Sequence, residues 1–85
     1  MPSMDDTAPC LQAIELALNG EWDAAHRIVQ DLEGELPAWI HAVLHKIEGD
    51  TGNSQYWYRR ASRPFTEEEP NSELLRIKQS LTVQT

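Results

Sequence analysis

His41, His45 and Glu48 stand at i, i+4 and i+7, so a helix through them carries two imidazoles and a carboxylate along one side. Imidazoles at this spacing can share a divalent metal ion. Glu48 would add a carboxylate, and His26, on an earlier helix, would complete the shell. The zinc-protease pattern His-Glu-x-x-His is not met, because Ala42 occupies the glutamate position. The competing reading gives the same histidines structural hydrogen bonds to Asp23, Asn53 and the tyrosines. Geometry separates the two. A site exists if the ring nitrogens of His41, His45 and one further donor converge on a point that solvent can reach; it does not if each is already satisfied by Asp, Asn or backbone.

A second constellation follows the turn at Gly49-Asp50. Asn53, Tyr56 and Arg60 fall on one helix face, expected to point inward with Trp57 and Ala61. With a protonated histidine they can hold a carboxylate or phosphate; alternatively, Arg60 pairs with Asp23 or Asp31. A catalytic reading would make His41 or His45 a general base oriented by Glu48. No nucleophile elbow, glycine-rich phosphate loop or paired-acid signature accompanies it, so the sequence argues for a binding protein rather than an enzyme.

Five helices are expected to position these residues. Thr7 caps the first, with Pro9 in its first turn. Leu11, Ile14 and Leu18 form its apolar face, and Asn19-Gly20 ends it. The second covers about residues 21–32 with Trp22, Ala25, Ile28, Val29 and Leu32 as its stripe, and ends at Gly34. The break between them is short enough to force an antiparallel hairpin. Leu36-Pro37 opens the third helix, whose core stripe is Ile40, Val43, Leu44 and Ile47, with His41, His45 and Glu48 flanking it and Trp39 pointing away from it. Asp50 or Thr51 caps the fourth helix, which runs to about Arg60. Residues 62–71 read as a solvated acidic connector, and a last helix over 72–81 carries Leu74, Leu75, Ile77, Lys78 and Leu81 as a lid on the domain or, alternatively, as a partner-binding element. Residues 1–8 are expected to be a loose lead-in, and the end of the chain to fray. No segment alternates as a strand does, so the fold class is all-α, one domain with its helical core over 9–61.

The composition removes several functions. Fourteen acidic against seven basic residues give a net charge of −7, which disfavours nucleic acid as a partner. No apolar run is long enough for a membrane span, and no basic segment leads into an apolar one as in a secretory signal, so a cytoplasmic location is expected. The single cysteine, Cys10, has no partner for an internal disulfide or a cysteine zinc site.

Gly20-Glu21-Trp22-Asp23-Ala24-Ala25, followed by Ile28 and Leu32, is similar to the second-helix half of a tetratricopeptide repeat. Gly49-Asp50, Ser54, Trp57, Tyr58 and Ala61 repeat the pattern. The two glycines are 29 residues apart, short of the roughly 34 of regular repeats, so the resemblance implies tetratricopeptide-like hairpins rather than regular repeats. The block from Trp39 to Ala61, with Trp22 and His26, also resembles the signature of a family of small uncharacterised bacterial and fungal proteins. Ser54 stands where that pattern has alanine. That resemblance implies no particular activity. The expected function is a helical interaction module whose concave side, lined by His26, His41, His45, Asn53, Tyr56 and Arg60, binds a peptide, a protein or a second copy of the chain. The alternative is a small-anion or metal-binding protein that uses His41, His45 and Glu48; no organic cofactor is implied, and a divalent metal is the one candidate.

Overall fold

The computed structural model describes residues 6–82, and within them the fold is all-α: α1 (Thr7–Leu18), α2 (Trp22–Gln30), α3 (Glu35–Ile47), α4 (Thr51–Arg60) and α5 (Pro70–Thr82). Most of the expected lead-in and the last three residues lie outside the described residues. Helices α1 and α2 pack as one hairpin and α3 and α4 as another, α2 rests on α3, and α5 lies across α1 and α3.

The hairpin turns follow from local chemistry. Gly20, at φ +82°, lets the Glu21 N–H reach back to the Leu16 carbonyl at 2.8 Å and its own N–H reach Ala17 at 3.0 Å. This is a Schellman stop, which needs a left-handed residue. Gly49, also at φ +82°, builds the same stop, with the Asp50 N–H on the His45 carbonyl at 2.9 Å. A third closes α4. There Ser62 holds φ +59° while the Arg63 N–H bonds the Tyr58 carbonyl at 3.0 Å. A β-carbon is strained in that conformation, and serine bears the strain here.

Several boundaries differ from expectation. Asp6, not Thr7, sits at the cap position of α1. Helix α2 stops at Gln30, and Gly34 belongs to the start of α3 as its cap. Pro37 is therefore the third residue of α3, still within the turn whose N–H groups have no helical acceptor. Of the two expected caps of α4 it is Asp50, not Thr51, that accepts the Asn53 N–H, at 3.2 Å. Helix α5 begins at Pro70, two residues early, with Glu69 accepting the Ser72 N–H at 2.9 Å.

Helix α3 is the axis of the fold. Every residue from Pro37 to His45 is buried, so the expected single stripe is in fact burial on nearly all sides. Ser54 takes the place expected for alanine against Ala42, and its hydroxyl donates to the Ala42 carbonyl at 2.8 Å. On another side α5 inserts Glu73, which is fully buried and accepts from Trp39 Nε1 at 2.8 Å, Tyr58 Oη at 2.7 Å and Lys46 Nζ at 2.6 Å. The expected lid is therefore bolted by a carboxylate as well as by Leu74 and Ile77. Trp39, expected away from the core, is buried beneath it with the Arg63 guanidinium 3.4 Å from its ring centre. The connector is more than solvated loop. Phe65 meets Tyr58 edge-on at 5.4 Å, and Glu68 pairs with Arg76 at 2.7 Å.

Two outcomes follow in urea denaturation. Ser62→Gly should raise stability by about 0.5–1 kcal/mol, by relieving the left-handed strain. Glu73→Ala removes the carboxylate that holds a part-buried ammonium and two buried aromatic donors and should cost about 3–5 kcal/mol, whereas Glu69→Ala, losing only an exposed cap, should cost much less.

Candidate metal centre

His26 comes from α2 and His41 and His45 from successive turns of α3, and packing of those two helices brings the three rings together. His26 Nε2 and His41 Nε2 are 3.0 Å apart. One ligand nitrogen from each of the three rings fits within a span of 4.8 Å. Metal–nitrogen bonds of ~2.0–2.1 Å in a tetrahedral site set ligand nitrogens ~3.3 Å apart, so the spacing suits one ion with small adjustment. The site does not depend on loops; all three rings stand on helices.

Aromatic neighbours fix the ring planes. Trp57 stacks on His41 at 3.9 Å and 11°, and His41 stacks on His45 at 5.0 Å and 21°. His26 meets His41 edge-on at 90° and is itself covered by Trp22 at 4.7 Å and 11°. Trp22 is held in turn, because its Nε1 donates to the Leu44 carbonyl at 2.6 Å. His45 Nδ1 donates to Glu48 Oε1 at 2.6 Å, which fixes its tautomer and leaves Nε2 available to a ligand. Nothing bonds His41 Nδ1, so stacking and the Nε2 contact with His26 orient that ring.

Burial lowers the basicity of His41 and His26. The His41 imidazole is pushed down to about 4, first by loss of solvent and then by the neighbouring His26 and His45. His26 is also lowered, by burial and then by His45, against the opposing pull of Glu48 and Asp23. Neutral imidazoles are the form a metal needs.

The sequence-predicted residues divide. His26, His41 and His45 converge, so none of the expected structural bonds from these rings to Asp23, Asn53 or a tyrosine forms; their polar partners are one another and Glu48. Glu48 holds His45 from behind instead of joining the three nitrogens. It does form a second, more exposed group with His45 and Asp50. Asn53, Tyr56 and Arg60 do not face inward: all three are exposed. Asn53 Nδ2 donates to Asp50 at 2.9 Å, and Arg60 donates to the Tyr56 hydroxyl at 2.8 Å rather than to Asp23 or Asp31. The inward face of α4 is Ser54, Tyr58 and, just beyond it, Ala61. Trp22 and Trp57 are the residues sequence reasoning undervalued, taking them for core aromatics; the i, i+4 spacing of Trp22 and His26 was the available signal.

No protein-family model matches the chain, and comparisons with curated proteins and with solved structures give no match either. The site must be judged on its own geometry.

Because the folded-state value of His41 lies below its ordinary 6.5, the unfolded chain takes up the proton first, and stability falls as pH drops below that value. The loss levels off near the folded value. In chelator-treated protein the urea midpoint should fall between about pH 7 and about pH 5, and His41→Phe should flatten that slope.

Proposed function

We propose that this protein binds a divalent transition-metal ion through His26, His41 and His45, with Glu48 orienting His45 from the second layer. The convergence of three imidazole nitrogens from two packed helices carries the reading. Three nitrogen donors of intermediate softness suit zinc, nickel, cobalt or copper and offer little to calcium or magnesium, which take oxygen. Two further observations support it. The ring planes are set beforehand by Trp22, Trp57 and Glu48, so little ordering cost remains for binding. Burial also keeps His41 and His26 neutral, so the ion displaces few protons.

A peptide or protein partner, or self-association on tetratricopeptide-like hairpins, is the second reading. It rests on the exposed Tyr56–Arg60 pair beside Trp57 and on the exposed Ile47. The six residues first assigned to one groove divide between a half-buried imidazole cluster and an exposed helix face, which favours the metal as the primary ligand.

Calorimetric titration of the chelator-treated protein with zinc and nickel should give one ion per chain. His41→Ala and His45→Ala should abolish binding, and Glu48→Gln should weaken it about 10–100-fold. Zinc at about 100 times its dissociation constant should raise stability by about 2.7 kcal/mol. Absence of heat with both metals sinks the proposal. Native mass spectrometry of the same samples reports subunit count, and a metal-free dimer would favour the interaction reading.

A further inference from the structure

We infer that the three-histidine centre is coordinatively open, and that its fourth position takes water or a small external anion instead of a side chain of this protein. The inference rests on the metal-binding reading above and goes further, because it says what kind of metal site this is.

The donor inventory leads to it. Zinc sites that only brace a fold are closed by four protein ligands, whereas a site with three leaves one position exchangeable. Among the described residues, no carboxylate or thiol joins the three imidazoles in their group. The two nearest acids on the following turn have other work. Glu48 is engaged with His45 Nδ1 at 2.6 Å, on the side of the ring away from Nε2, and Asp50 receives both the backbone and the side chain of Asn53, at 3.2 and 2.9 Å. Glu48 reaches the ion only by releasing His45, and Asp50 only by giving up the cap of α4. Cys10 is fully buried in the core and belongs to no such group.

Charge points the same way. Three neutral imidazoles leave both positive charges of the ion uncompensated in a half-buried setting, where an anionic fourth ligand is worth more than it would be in water. Indole rings cover the ring faces, Trp57 on His41 and Trp22 on His26, and the acids that act on the cluster, Glu48 and Asp23, stand outside the group of three nitrogens. Arg60 adds positive charge 5.3 Å from the centre of the Trp57 ring and pairs with no carboxylate among the described residues. Access is from the side of α2. His41 and His45 are 4% and 8% exposed, while His26 is only half-buried, so an incoming ligand meets the ion past the edge of His26.

Cobalt(II) is the probe, because its visible absorption reports coordination number and changes when a ligand is exchanged. The chelator-treated full chain is loaded with cobalt(II), binding is measured by calorimetry, and the visible spectrum is then titrated with sodium azide, with weakly coordinating sodium perchlorate at equal ionic strength as the control. The expected result is a saturable change in the cobalt bands, fitting one azide per ion and reversed by dialysis. Cobalt(II) that binds with one-to-one heat but whose bands ignore azide overturns the open site while leaving the metal-binding reading intact. If Glu48→Gln then makes those bands azide-sensitive, Glu48 is the closing ligand, and the centre is structural. Absence of cobalt(II) heat removes both readings together, and that outcome is distinguished by the calorimetry alone.

Discussion

Helix α3 is enclosed by the other four helices, and its position dictates where every polar group near it must go. A helix buried on nearly all sides has no solvent face on which to place His41, His45 and Lys46, so each must find its partner inside the protein or at its edge. Lys46 finds Glu73 and the Thr66 carbonyl. His41 finds His26, and His45 finds Glu48. Two polar centres thus arise from one constraint, on different sides of a single helix. The one around Glu73 is fully matched. The one around the imidazoles is not, since His41 Nδ1 has no partner and the Nε2 atoms of His26 and His41 face one another.

The tryptophans divide between the centres in the same way. Trp39 donates to Glu73 and carries Arg63 on its face, which makes it part of the bolt that holds α5. Trp22 and Trp57 cover the imidazoles and keep water from the flat faces of the rings. Indole suits both duties, because it buries a large apolar area and still offers one N–H; Trp22 spends that N–H on α3 itself, tying α2 to the helix that carries the other two imidazoles. The Tyr58 hydroxyl is held protonated well above its ordinary range by burial and then by Glu73, as a donor to a buried carboxylate must be.

Features set by neighbours along the chain were legible before the fold was known. Gly20 and Gly49 announced their Schellman stops, Asp50 its cap, and the apolar periods of α1 to α3 their helices, because a left-handed turn or a 3.6-residue period depends on local sterics alone. The face of α4 was not legible. Tyr56, Trp57 and Tyr58 are consecutive, so three orientations bury an aromatic, and only the fit of Ser54 against Ala42 and of Tyr58 against Glu73 selects one. Choosing Tyr56 carried Asn53 and Arg60 inward with it, and the true register puts all three outside. Glu73 was equally hidden, since a glutamate in the first turn of an amphipathic helix reads as a favourable surface charge.

The sequence by itself determined the all-α class, the short turns, and the presence of two imidazoles a helical turn apart with a carboxylate three residues beyond. These follow from backbone geometry and from spacing along one helix. Only the tertiary structure decided that His26 is the third member, that Glu48 stands behind His45, and that Asn53, Tyr56 and Arg60 stay outside. The reason is that i, i+4 spacing fixes relations within a helix, whereas the meeting of α2 with α3 depends on how side chains from several helices share one small core.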